Sequence, residues 1–97
     1  MAAILERARC AIPPCADEYE DRKLRLLVAV CRELQRNAGE HPFFLAARTG
    51  ARLLGLDRNH VKVWRWLFLL QQDKVILEIE KGDHAKRRAS RYRYLRE

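Results

Sequence analysis

Apolar side chains recur along this chain with two different periods, and the change from one to the other divides it. Leu24, Leu27, Val28, Cys31 and Leu34 fall at helical spacing and make one apolar stripe. Asp17 is placed to cap the exposed amides, with Glu20 three residues on reaching back as in a capping box, so the first firm helix is predicted to begin at Asp17. Glu18 with Arg22 and Asp21 with Arg25 then form i,i+4 pairs on its solvent side. Gly39, after Asn37 and Ala38, supplies the stop. Phe43-Phe44-Leu45 is too short for a helix and rich in strand formers. Ala46 to Leu54 reads as a short helix with Ala47, Ala51 and Leu54 on one side, weakened slightly by Gly50 and closed by Gly55. Either Asp57 or Asn59 can cap the helix that follows.

That next helix extends to about Asp73 and is the most apolar part of the chain. At about 100° per residue, Val63, Trp66, Leu67 and Leu70 share one side, with Trp64 and Phe68 flanking them. The pattern predicts a mostly buried helix; Trp64 and Trp66 could stack on unpaired bases, but at helical spacing within so apolar a helix they are read as core and inter-helix packing. The period then shortens to two. Val75, Leu77 and Ile79 alternate with Ile76, Glu78 and Glu80, as in a half-buried strand. Lys81-Gly82-Asp83 interrupts the repeat, and Arg91 to Leu95 alternates again with Tyr92 and Tyr94 on one face, expected to cover the core. Two strands around a loop of about ten residues predict a hairpin with an extended tip. At the other end, Met1 to Arg9 can form a short helix that Pro13-Pro14 terminates. The expected organisation is a leader or short extra helix over 1–16 and one domain over 17–97.

Composition changes the picture in one respect. Ninety-seven residues, 48% apolar and 34% charged, suit one small globular domain and are too apolar for intrinsic disorder. The net charge of +7, however, sets up a field that attracts polyanions on so small a body. The cations are also not evenly spread. On the helical plot, the face opposite the apolar side of the long helix collects Arg58, Lys62, Arg65, Leu69 and Gln72, with no acidic member before Asp73. A groove-reading helix needs a buried back to hold it rigid, and Arg, Lys and Gln projecting to base edges and phosphates. Asn59 stands at the start of the same helix. Lys86, Arg87, Arg88, Arg91 and Arg93 make a second cluster on the hairpin loop and returning strand, with no balancing acid between Lys86 and Arg96. The blander readings are a wet helix face and strand-edge cations that guard against aggregation.

The predicted order is helix, short strand, short helix, turn, long helix and strand hairpin. With Phe43-Phe44-Leu45, Ala51-Arg52-Leu53-Leu54-Gly55-Leu56, Trp64-Arg65-Trp66-Leu67 and Ala89-Ser90-Arg91-Tyr92-Arg93-Tyr94-Leu95, the chain resembles the winged helix-turn-helix modules of phage and plasmid replication proteins, including those attached to primase-polymerases. The resemblance covers roughly residues 17 to 95. It departs in two places: the spacing from Gly55 to Trp64 is about two residues longer than usual, and Lys74 stands where a glycine is common. The resemblance implies an α+β winged helix, with a three-helix core, a short strand and a C-terminal β-hairpin wing. It implies a recognition helix carrying Arg58, Asn59, Lys62, Arg65 and Gln72, and a wing whose Lys86, Arg87, Arg88, Arg91 and Arg93 grip the backbone. The expected partner is double-stranded DNA, in origin or template recognition beside a larger primase- or initiator-type replication protein. A transcription regulator of the same fold, or a winged helix that binds protein or RNA, are the alternatives.

Other chemistry is weakly signalled. No run approaches the roughly 18 apolar residues of a membrane span, and the charged start does not read as a signal peptide. Three cysteines, an odd count, point to a reducing cytoplasmic setting. Cys10 and Cys15, separated by four residues, lack two further ligands at paired spacing among Cys31, His41, His60 and His84. Neither a cofactor nor a metal is expected. Cys31 lies on the apolar stripe as a packing residue, and His60 alone supports no catalytic role. With no nucleophile–base pair, Gly-rich phosphate loop or paired carboxylates, an enzyme is not expected.

Overall fold

The computed structural model describes residues 2–56, 59–80 and 90–95. Helix α1, Ala2–Cys10, is followed by a 3-10 turn over Pro14–Glu18 and by α2, Arg22–Ala38. Strand β1, Phe43–Leu45, leads to α3, Ala47–Leu53, and α4, His60–Gln72. Strands β2, Ile76–Glu80, and β3, Ser90–Tyr94, complete an antiparallel sheet in the order β1-β3-β2. The architecture is α+β, and the predicted sequence of helix, short strand, two helices and paired strands is present.

The start of α2 differs from expectation. Its cap is Asp21, whose Oδ1 accepts the amides of Lys23 at 2.8 Å and Leu24 at 3.3 Å. Asp17 belongs instead to the separate 3-10 turn that Pro14 opens. Glu18 and Asp21 therefore precede the helix and form no pairs along it. The reason is tertiary. Tyr19 takes an extended backbone, is buried, and donates its hydroxyl to Asp73 Oδ2 at the end of α4, 2.7 Å away. Burial, and then this bond to a carboxylate, push the Tyr19 hydroxyl well above its ordinary range. The Arg25 guanidinium donates to the Tyr19 carbonyl rather than reaching Asp21.

The apolar stripe of α2 is wider than the repeat predicted. Every residue from Leu24 to Leu34 except Arg25 is buried, because α1 and the 3-10 turn cover the face turned away from the sheet. Ile4, Ala8 and Ala16 enter the same core as Leu27, Val28 and Cys31. Burial pushes the Cys31 thiol up to about 12, as befits a packing residue. Glu33 is buried too, with Oε1 3.1 Å from Arg36 and 3.8 Å from Arg32, and Arg32 donates to the Ala11 carbonyl.

Two helix ends share one construction. At the end of α3, the amide of Leu56 donates to Ala51 O at 2.7 Å and that of Gly55 to Arg52 O at 3.2 Å. At the end of α4, Val75 donates to Leu70 O at 2.9 Å and Lys74 to Gln71 O at 3.1 Å. Both are Schellman motifs, which need a left-handed residue between the two donors' carbonyl targets and the outgoing chain. Gly55 supplies it at φ 73, whereas Lys74 adopts φ 58 with a full side chain. Lys74 thus occupies the backbone conformation for which a glycine is the common choice.

In the sheet, Phe43 stands opposite Tyr92, Phe44 opposite Arg91, Ile76 opposite Tyr94 and Leu77 opposite Arg93, with a bulge between Glu78 and Glu80. Phe43, Leu45, Ile76 and Tyr92 are buried, and the Phe43 and Tyr92 rings lie 6.0 Å apart. The other face is more apolar than its position suggests: Phe44, Leu77 and Ile79 are exposed. Of the alternating set that begins at Val75, only Val75 is buried, and it precedes the strand. Gln35 extends the β1–β3 edge from outside. Its Nε2 donates to Gly39 O at 2.9 Å and His41 O at 2.8 Å, and its Oε1 accepts the Tyr94 amide at 2.9 Å. One carboxamide thereby bridges the chain leading into β1 and the end of β3, where the β1–β3 ladder would continue.

Candidate nucleic-acid interface

Helix α4 is set rigidly from behind. Val63, Leu67 and Leu70 are fully or almost fully buried, and Trp66 is half-buried against the same core. The approach of α3 is close because Gly50 has no side chain: a Cβ there would sit 2.9 Å from Val63 Cγ1. The glycine that weakens α3 as an isolated helix is what lets α4 pack against it. Asn59 is the cap, with Oδ1 accepting the Lys62 amide at 3.3 Å, which settles the choice between Asp57 and Asn59.

Opposite this buried back, Lys62, Arg65 and Gln72 are exposed on one arc of α4, and Leu69 is half-buried between them. No carboxylate interrupts α4 from His60 to Gln72. Asp73, at its end, is engaged by the Tyr19 hydroxyl. Lys62 lies in the first helical turn, where the macrodipole disfavours a cation, and its Nζ rests 5.1 Å from the Trp66 ring centroid. Asn59 is thus a cap as well as a candidate contact, while Arg58 lies outside the described residues.

Lys86, Arg87 and Arg88 lie outside the described residues. Arg91 and Arg93 sit on the solvent face of β3, both half-buried. Arg91 is already engaged: NH1 is 3.0 Å from Glu80 Oε2, and its guanidinium carbon is 5.2 Å from the Phe44 ring centroid. The lack of acids in the local run from Lys86 to Arg96 concealed this pairing, because Glu80 arrives from the neighbouring strand.

Two features escaped the sequence reading. Arg48 and Arg52, one turn apart on α3, are both exposed; their i,i+4 spacing was the available signal. The larger difference concerns the aromatics. Trp64 is 61% exposed and Phe68 is 53% exposed, with rings nearly parallel at 13° and centroids 6.4 Å apart. Val61, on the same side of α4, is exposed as well. Trp64 is therefore not a core residue: the buried arc of α4 is centred on Val63, Leu67 and Leu70, and among the described residues no element covers the flank where Trp64 and Phe68 stand.

Among the described residues, no three or more His, Cys, Asp or Glu side chains are grouped so as to hold a metal ion. No helix among them is long and apolar enough to cross a membrane. Comparison with protein-family models, curated proteins and solved structures gives no match to this chain.

Proposed function

We propose that this chain is a winged helix-turn-helix module that binds double-stranded DNA, with α4 entering the major groove and the β2–β3 hairpin alongside it. The observation that carries the reading is the two-sidedness of α4: a rigidly buried back and an exposed arc of Lys62, Arg65 and Gln72 free of carboxylates. Lys62 strengthens it. A cation in the first turn works against the helix, and such local conflicts are expected where function rather than stability selects the residue. The order of elements, with two consecutive helices followed by a strand pair in a β1-β3-β2 sheet, is compatible with that fold and supports the reading. The net charge of +7 supplies the long-range attraction.

In this reading Lys62, Arg65 and Gln72 contact base edges and nearby phosphates. Arg48 and Arg52 join Lys86, Arg87, Arg88 and Arg93 in holding the backbone, and Arg91 contributes less because Glu80 already balances it. The module has a binding role without catalysis of its own. From its resemblance to replication modules, it recognises an origin or template for a primase- or initiator-type protein. Ile4 and Ala8 of the leader are buried in the chain's own core, which leaves that helix little to offer the dimer interface a transcription regulator would use.

The test is a titration of labelled duplex at two salt concentrations. Binding should weaken steeply with salt, and Arg87→Glu with Arg88→Glu should lower affinity for all sequences and flatten the salt dependence, by about one unit of slope per lost phosphate contact. Arg65→Ala should relax preference at particular base pairs. Absence of duplex binding at low salt, or a stronger preference for structured RNA or an acidic protein, defeats the proposal.

A further inference from the structure

The cationic arc of α4 accounts for Lys62 and Arg65 but leaves the adjoining strip of Val61, Trp64 and Phe68 unexplained. Isolated exposed apolar residues are ordinary on protein surfaces. Three in a row at i, i+3 and i+7, two of them large aromatics more than half exposed, form a contiguous apolar ledge. The ledge runs along α4 beside Arg65, and nothing acidic lies on that helix. Its charge context therefore favours a polyanion.

A paired duplex does not suit this ledge. Inside a duplex the flat faces of the bases are stacked on one another, and only edges and phosphates are offered to a protein. Edges are met mainly by Arg, Lys, Gln and Asn; a phenyl ring can touch a thymine methyl, but that contact gives two parallel ring faces no flat partner. Unpaired bases do present their faces, and sequence-tolerant single-strand sites pair aromatic platforms with adjacent cations. Trp64 and Phe68 provide two near-parallel rings on consecutive turns of one helix, with Arg65 one residue from Trp64. By contrast, the exposed Phe44 ring on the sheet already has the Arg91 guanidinium against it.

We infer that the Trp64–Phe68 ledge stacks on unpaired bases, so that the nucleic acid this chain recognises is a duplex adjoining a single strand. The inference rests on the nucleic-acid-binding reading of α4 and specifies its substrate. Lys62 and Arg65 contact the paired side of the junction, and the ledge receives the first one or two bases beyond it.

The full chain is titrated with a blunt DNA duplex, the same duplex carrying a ten-nucleotide overhang, and the overhang strand alone. The overhang duplex should bind at least about fivefold more tightly than the blunt one, the lower end of what stacking a base on an aromatic ring contributes. Trp64→Ala and Phe68→Ala should each reduce that advantage while leaving blunt-duplex affinity within about twofold. Both side chains are exposed, so folding should survive, as circular dichroism would verify. In a Trp66→Phe background, Trp64 fluorescence should be quenched by the overhang duplex and not by the blunt one. Equal affinity for blunt and overhang duplexes overturns the inference while leaving duplex binding intact. Failure to bind any of the three removes the underlying reading. A wild-type dimer in sedimentation that Trp64→Ala dissolves, with no overhang advantage, assigns the ledge to self-association and also overturns the inference.

Discussion

Replacing Lys74 by glycine should make the protein more stable, although it removes a side chain and a charge. Lys74 sits at φ 58 between α4 and β2, and its amide completes a Schellman motif by donating to Gln71 O at 3.1 Å. Holding an L-residue in the left-handed region costs about 1–2 kcal/mol, because Cβ crowds the following carbonyl oxygen. Glycine removes that cost but brings a more flexible unfolded chain, worth about 0.5–1 kcal/mol in the other direction. Loss of the cation just past the helix C-terminus subtracts about 0.3 kcal/mol more. Lys74→Ala is the proper reference, since it loses the same charge and keeps the strain. Lys74→Gly should exceed Lys74→Ala by about 0.5–1 kcal/mol, or about 2–8 °C in melting temperature for a domain of this size. Lys74→Asn should fall between them, as asparagine tolerates the left-handed region better than alanine does. Urea denaturation of the three variants, fitted with a common slope, measures the differences. Alanine matching or exceeding glycine would show that the backbone at this position is not left-handed, and the account of the α4–β2 junction would fall. The point bears on function, because this junction fixes the angle between α4 and the sheet.

Two further perturbations test how α4 and the sheet are held. Gly50→Ala gains about 1 kcal/mol of helix propensity, but it sets a methyl 2.9 Å from Cγ1 of the fully buried, stiff Val63 side chain. Overpacking of about 1–3 kcal/mol should win, and Val63→Ala should cost less in the Gly50→Ala background than alone, a coupling that a denaturation cycle detects; a more stable Gly50→Ala protein would contradict the close approach of α3 and α4. Gln35→Leu should lose about 1–3 kcal/mol by removing the bridge among Gly39, His41 and Tyr94, and should speed amide exchange at Tyr94; unchanged exchange there would show that the carboxamide does not splint the sheet edge.

What could be read from the sequence was whatever neighbouring residues decide among themselves. Helix ends at Gly39 and Gly55, a cap at Asp57 or Asn59, the buried arc of Val63, Leu67 and Leu70, and the inward tyrosine Tyr92 all follow from local hydrogen-bond chemistry and from the periods of helix and strand. The exposed arc of Lys62, Arg65 and Gln72 was legible for the same reason: once one side of a helix is buried, the opposite side is determined.

Only the tertiary structure decided which apolar residues are covered and which charges meet. Tyr19 leaves the helical path because Asp73, more than fifty residues away, accepts its hydroxyl, and that moves the cap of α2 from Asp17 to Asp21. Helix α2 is buried almost all round because α1 returns against it, while Trp64 and Phe68 are exposed on a flank of α4 that no element among the described residues covers. Leu77 and Ile79 face outward on a sheet with one covered side, and Glu80 reaches Arg91 across a strand pair. Periodicity tells a residue's direction from its own axis, but burial depends on what arrives from elsewhere in the chain. The aromatic ledge beside the cations of α4, on which the substrate inference depends, belongs wholly to that second kind of information.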